Sequence, residues 1–497
     1  MPPALTLAPH RALFTTGALA TLLPMLWWLL ELLGRASGIP LLDHPVPAML
    51  AHGQWMLYGV FPPFMAGFIF TAGPRWLGVN GPGARAFAPL AAAWLLGHLA
   101  TLAGLVHNWL WLYQSGQGLF AAGMLGLCGV WLGVIRQSRQ PDRRHAWLVA
   151  AGFALGAAGA LAGLGWALTG RAELWSAMRG LALWGFLLPV FLTVAHRMLP
   201  FFSANVLQPY QPWRPDGLLS AFWAGSLGHL LLSLLPWAWP LSLWDAGFAA
   251  LLGYTSWRWG VRRSLINPLL AMLHLSFAWA ALALALSALT PWLALGAAAT
   301  HALGIGLFAS LMMGFVSRVS LGHSGQPLRA APWLWRLYLA LHGLALLRLA
   351  TNPRWNSDAA IAVMSASALA VGIIVISRTS GMTTDVDNYM FGSVLAMTWA
   401  DVALSAVLSL AVLALFVLFY HKLFAVTFDE SFSRATGVRV GLYNTFLSVL
   451  TALTIVLGMR MMGAMLISSL VIFPALSAMR VRKSFRGVVI LAFSGRF

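Results

Sequence analysis

Histidine is the residue type in this chain with the most chemistry to offer. Twelve of its thirteen histidines precede residue 350: His10, His44, His52, His98, His107, His145, His196, His229, His274, His301, His323 and His342. His52, His98, His229, His274, His301 and His342 fall in or near the ends of apolar runs, where a polar ring needs a partner. A neutral imidazole among packed helices can ligate haem iron or copper. It can equally hydrogen-bond a backbone carbonyl or a neighbouring helix. Carboxylates are nearly absent from the same runs, which argues against a carboxylate proton relay and leaves the histidines, as a set, pointing to a metal or haem site. Met312 and Met313 offer thioether sulfur to copper, or plain apolar packing. The single cysteine, Cys128, sits inside an apolar run, so disulfides and thiolate metal sites are excluded. No catalytic constellation stands out, and a cofactor-binding or transport protein is expected.

The elements that must position these residues are membrane helices. The chain is 60% hydrophobic and 8% charged, far short of the roughly one-quarter charged residues that a soluble domain uses to face water. Apolar runs long enough to cross about 30 Å of hydrocarbon recur throughout. They predict an all-α polytopic membrane protein of about 15 transmembrane helices. About eleven lie within 12–350: 12–33, 50–72, 87–106, 119–135, 147–169, 180–196, 218–235, 241–257, 267–289, 292–316 and 333–350. About four follow, at 359–377, 398–420, 441–457 and 463–479. The first run is too long for a signal h-region and lacks a clear cleavage site, so it reads as a retained span. Gly129 and Gly133, Gly152 and Gly156, and Gly159 and Gly163 recur at i,i+4. Such faces allow close helix packing or leave room for a flat cofactor.

The formal charge of +18 is nearly all arginine, scattered between spans, which is topological marking and not a nucleic-acid surface. Across the first eleven spans one side collects Arg11, Arg75, Arg85, Arg136 to Arg144, Arg197, Arg214, Arg258 to Arg263, Arg318 and Arg329. The other side has little beyond Arg35, Arg171 and Arg179. The positive-inside rule then places the N-terminus in the cytoplasm and Thr351 outside. Read alone, the tail places residue 355 inside, because its basic segments are 421–441 and 480–486. The two sides of RLATNPRWNSDAA (348–360) disagree about which face of the membrane it occupies.

Four stretches in fixed order carry a family resemblance: AHGQWMLYGVFPPFMAGFIFTAGPRWLG (51–78), AHRMLPFFSAN (195–205), NPLLAMLHLSFAWAAL (267–282) and HALGIGLFASLMMGFVSRVSLGHSGQPL (301–328). Over about residues 10–350 the chain resembles the NnrS family, haem- and copper-containing inner-membrane proteins tied to nitric oxide metabolism and nitrosative stress. The resemblance implies haem and copper as cofactors. His52, His274, His301 and His323 are then candidate cofactor ligands, with Arg197 and Arg318 as candidate propionate or anion partners. For metal it points to His52, His301, His323 and Met313. Both arginines also read as positive-inside marking. Where the family usually carries two histidines one residue apart, this chain has His52-Gly53-Gln54, and Gln54 is a poor metal ligand.

From Ser357 a second resemblance begins, through 357–378, 387–401, 428–438 and 463–479. It is similar to the membrane subunit of zinc/manganese-type ABC importers. In that family the segment matching 428–438 couples to the ATPase, which implies a docking role for Asp429, Glu430, Arg434 and Gly437; a solvated interhelical loop is the plainer reading. The expected partners are membrane lipid, nitric oxide, an ABC ATPase and a periplasmic metal-binding protein, with no nucleic acid. The division expected is 1–352, an NnrS-like bundle, and 353–497, a partial permease-like segment in the bacterial inner membrane. Two alternatives stay open: the whole chain acts as a metal permease, or two truncated genes have been fused into a non-functional product.

Overall fold

The computed structural model describes residues 8–37, 42–293, 295, 297–350, 399–428, 430–437, 440 and 442–443. The chain divides into two compact units, Met1–Ser367 and Ala368–Phe497. The junction region 351–398 and the spans expected after residue 443 lie outside the described residues.

Unit 1 is a bundle of eleven long helices joined by short loops: α1 (Pro9–Ser37), α2 (Ala48–Leu77), α3 (Ala84–Val106), α4 (Leu110–Gln137), α5 (Arg144–Thr169), α6 (Ala172–Val206), α7 (Leu218–Leu232), α8 (Ala238–Arg258), α9 (Pro268–Leu289), α10 (Ala298–His323) and α11 (Pro332–Ala350). Each overlaps one of the eleven apolar runs, with ends shifted by up to about ten residues. In unit 2, α12 (Trp399–Phe428) leads into a short helix, α13 (Glu430–Ala435). Among the described residues nine helices are long and apolar enough to cross a membrane, and no strand occurs. The chain is a polytopic helical membrane protein.

The helix ends follow from local sequence. Pro268 opens α9, and the Asn267 side chain caps it by accepting the Leu270 N–H at 3.1 Å. Gly78 and Gly170 close α2 and α5 at φ of +64° and +72°, a conformation that costs a residue with a Cβ. Sequential helices pack as antiparallel neighbours, α3 on α4, α4 on α5 and α8 on α9. The α3–α4 seam is drawn tight by glycine: a Cβ on Gly104 would meet the Tyr113 backbone, and one on Gly116 the Thr101 backbone nitrogen. Gly152, Gly156, Gly159 and Gly163 are filled by Val190, Phe186, Tyr58 and Gln54, so this face serves packing. Gly129 and Gly133 face open space.

Three helices are interrupted by π-helical segments: Met56–Val60 in α2, Leu181–Leu187 in α6 and Ala302–Ala309 in α10. Proline explains two of them. The Tyr58 carbonyl would be reached by the N–H of residue 62 or 63, and both are proline. The Trp94 indole supplies the missing donor at 3.2 Å. In α6 the π-bond donor to the Trp184 carbonyl would be Pro189, and Ser226 Oγ donates instead at 2.7 Å. In α10 the Ser310 hydroxyl donates to the Gly306 carbonyl. Inside a membrane no water is present to satisfy such groups, so these side chains are what make the irregular backbone tolerable. The three irregular helices meet: Phe308 of α10 lies 5.7 Å from Phe61 of α2 and 5.0 Å from Phe191 of α6, ring to ring.

Candidate functional site

Beyond that aromatic contact, towards the arginine-rich helix ends, α2, α6 and α10 separate around a cavity of about 1040 Å³. The volume is at the top of the roughly 300–1,000 Å³ range of small-molecule and cofactor sites. From α2 come Phe68, Thr71, Arg75 and Trp76; from α6, His196, Arg197, Phe201 and Phe202; from α10, Arg318, Val319 and His323. The start of α5 adds Arg144 and His145, and the loop after α6 adds Arg214 and Asp216. Below its floor, Phe64, Met65, Phe191 and Phe315 enclose a small apolar void shared by the same three helices.

Two histidine pairs mark this end of the bundle. His145 Nε2 lies 3.0 Å from His196 Nδ1, so one ring donates to the other. The remaining nitrogens, His145 Nδ1 and His196 Nε2, are buried and have no hydrogen-bond partner. His10, at the start of α1, lies 4.4 Å from His323, ring to ring, with Thr71 Oγ1 at 3.4 Å from its Nδ1. The arginines are held by aromatic faces: Arg197 stands 5.2 Å from the Trp76 ring and Arg318 3.9 Å from that of Phe202. In the loop ahead of α5, the Asp142 carboxyl is held below its usual range, first by accepting the Arg144 backbone N–H and then by the charges of Arg144, His145 and Arg197, against the opposing effect of partial burial.

Of the residues expected from sequence, His323, Arg197 and Arg318 share this cavity. The others lie elsewhere. His52 stacks on Trp28 at 4.1 Å, His274 is fully buried with Nε2 bonded to Ser203 Oγ at 2.8 Å, and His301 Nδ1 is 2.9 Å from the Ala297 carbonyl. Met313 packs against the satellite cluster of Leu269, Met272 and Tyr338. Gln54 is buried and accepts the Tyr113 hydroxyl at 2.7 Å, a structural bond. Among the described residues no three His, Cys, Asp or Glu side chains gather as a metal cluster.

Two features of the bundle escaped the sequence reading. The first is the His145–His196 pair, whose signal was the AHR and RRH tripeptides at helix ends. The second is a buried chain on α7, α8 and α9: Ser287 Oγ donates to Asp245 Oδ2 at 2.6 Å, and Asp245 Oδ1 is 2.7 Å from His229 Nδ1. His229 stacks on Trp184, in the π segment of α6, at 3.4 Å.

With that geometry in place, comparison with known proteins is decisive for the family. The NnrS family (NnrS protein) matches residues 4–380. The chain belongs to the NnrS family. A separate similarity joins the chain to metal-transport membrane proteins. The high-affinity zinc uptake system membrane protein ZnuB of Haemophilus influenzae is 28% identical over 141 residues, 28% of this chain and 54% of the relative. The manganese transport system membrane protein MntC of Halalkalibacterium halodurans is 32% identical over 135 residues, 27% and 46%. The manganese import system permease protein ScaB of Streptococcus gordonii is 33% identical over 137 residues, 28% and 49%. The chain spans about half the length of these curated relatives. No solved structure matches it.

Of the coupling residues expected in the tail, Asp429 lies outside the described residues. Glu430 and Arg434 fall on α13, and Gly437 follows it at φ +81°.

The family resemblance implies haem and copper, and the residues at the cavity fit a haem. An iron ligand needs a neutral imidazole with one free nitrogen and a partner fixing the other, which is how His196 stands. The two propionates would need guanidinium partners, and Arg197 and Arg318 line the same cavity. The flat ring needs apolar walls, present as Trp76, Phe68, Phe201 and Phe202.

Proposed function

We propose that unit 1 is a redox-cofactor protein of the bacterial inner membrane, acting in nitric oxide metabolism or the response to nitrosative stress. Its arginine-rich end, with the N-terminus, faces the cytoplasm, as the positive-inside rule requires. The observation that carries this reading is the pairing of a buried, half-satisfied His196 with Arg197 and Arg318 on one cavity wall. In this reading His196 would hold the haem iron, His145 would fix the His196 ring through its Nδ1, and the two arginines would neutralise the propionates. His10 and His323 are the candidate copper ligands at the rim. When bound, haem would supply a one-electron couple and a coordination position for a diatomic ligand. The test is the full-length protein purified from haem- and copper-replete cells. A Soret band, with iron and copper by elemental analysis, is expected; His196→Ala should abolish the Soret band and His274→Ala should keep it. Absence of both metals from the wild type, or an unchanged spectrum in His196→Ala, overturns it.

The similarity to ZnuB, MntC and ScaB favours a second reading, for the tail. We propose that residues 353–497 derive from the membrane subunit of a zinc/manganese ABC importer, with Asp429, Glu430, Arg434 and Gly437 forming the ATPase-docking surface. Half a permease should not import metal alone. Co-purification with an ATPase, lost in Asp429→Lys/Glu430→Lys, supports docking; efficient zinc or manganese uptake by this chain defeats the partial-permease reading. Sequencing the transcript across residues 345–365 decides whether the join is natural or a fusion of two truncated genes.

A further inference from the structure

Arginines outnumber carboxylates along the whole bundle, and five of them converge on the wall of one cavity. Residues 8–350 contain six carboxylates. Glu31 meets Arg35 and His44; Asp43 accepts from Asn108; Glu173 faces Arg171; Asp245 is held by His229 and Ser287. None of these is on the cavity wall. Asp142 is shared between Arg144 and Arg197, leaving Arg75, Arg214 and Arg318 on that wall against Asp216 alone. Arg197 and Arg318 rest on aromatic faces, which hold a guanidinium in place without neutralising it. A partly buried cation with no counter-charge is costly, and its natural complement is an anion offering several oxygens to fork-shaped donors.

We propose that the cavity is a binding site for a phosphate-type oxyanion, held by Arg214 and Arg75 together with whichever of Arg197 and Arg318 is free. Two propionates would occupy Arg197 and Arg318 and leave Arg75 and Arg214 against one carboxylate. The oxyanion site therefore exists with or without haem, and the two readings can fail separately. A lipid headgroup phosphate and free inorganic phosphate present the same oxygens. Of the two, free phosphate reaches a cavity open at a helix end, whereas a headgroup enters from the bilayer.

The experiment is calorimetric titration of the full chain with inorganic phosphate, haem-loaded and haem-free, in nanodiscs of phosphatidylcholine alone and with phosphatidylglycerol. Saturable binding is expected in phosphatidylcholine discs. Each of Arg214→Gln and Arg75→Gln should weaken it by about tenfold or more, as loss of one charge-assisted pair implies. Both side chains are exposed, so neither change threatens the fold. Arg171→Gln, at the opposite end, should leave it unchanged. If phosphate binds only when phosphatidylglycerol is absent, and native mass spectrometry shows retained phosphatidylglycerol lost in both variants, the headgroup is the source and the site stands. No phosphate binding and no retained lipid, or retention equal in both variants and wild type, overturns it. An absent Soret band alongside intact phosphate binding removes the haem reading alone.

Discussion

Removing the carboxylate of Asp245 should be among the most destabilising single changes in the bundle. The side chain is fully buried, and both oxygens are engaged, one 2.7 Å from His229 Nδ1 and the other 2.6 Å from Ser287 Oγ. Asp245→Ala leaves a buried imidazole nitrogen and a hydroxyl without an acceptor. Each orphaned group costs about 1–3 kcal/mol. Interhelical hydrogen bonds in membranes set the competing scale, averaging only about 0.6 kcal/mol because the unpacked helices find other partners. Asp245 exceeds that average because it ties three helices at once, so a loss of about 3 kcal/mol is expected. Asp245→Asn should cost less, since one amide oxygen can still accept. In a cycle with His229→Ala, measured by steric trapping in bicelles, coupling of about 2 kcal/mol is expected. Coupling at or below about 0.6 kcal/mol would show that the chain is an ordinary interhelical contact.

Gly104→Ala places a methyl 2.8 Å from the Tyr113 Cα and against its nitrogen, backbone that cannot swing aside. Separating α3 from α4 should cost about 1–3 kcal/mol or more, whereas Gly133→Ala, with nothing nearby, should gain about 0.5–1 kcal/mol from helix propensity; thermal unfolding in detergent compares the two. His145→Gln keeps a hydrogen-bonding partner for His196 Nδ1 and should retain haem with a shifted midpoint potential, while His145→Phe should lose most of it; redox titration and Soret absorbance distinguish them. Because the Asp142 carboxyl is lowered, its contribution is complete above the ordinary carboxylate pKa, near 4, and is lost as pH falls through the lower folded value. Relative to the intrinsic exchange rate at each pH, protection of the α4–α5 loop should fall on acidification in wild type and stay constant in Asp142→Asn.

The helices were legible because hydrophobic length alone dictates them: the runs at 218–235 and 241–257 became α7 and α8 almost unchanged. Arg197 and Arg318 were legible because topology puts arginines at one end of the bundle, and a cavity at that end inherits them. The pairing of His145 with His196 was not, since a ring in an apolar run shows only that it needs a partner. His274 found Ser203 and His301 found a carbonyl of its own helix, while His196 and His145, at helix ends and flanked by arginine, met across 51 residues of sequence. Asp245 was passed over because a lone acid in a span looks like an exception, and the three-helix network that stabilises it has no sequence period.

The π segments connect the fold to the site. A helix that takes one extra residue in a turn rotates everything beyond it by about 100° relative to a regular helix. In α2, α6 and α10 what lies beyond is Arg75, the His196–Arg197 pair, and Arg318 with His323. A regular α6 would carry those two residues to another face of the helix, away from His145. Ser226 is therefore more than a repair to the backbone: by donating to the Trp184 carbonyl where Pro189 cannot, it stabilises the offset. Ser226→Ala tests the link directly. It removes the donor to the Trp184 carbonyl, so the offset should lose stability, the contact of His196 with His145 should weaken and haem content should fall. Unchanged haem content and spectrum in Ser226→Ala would mean that the offset is incidental to the site.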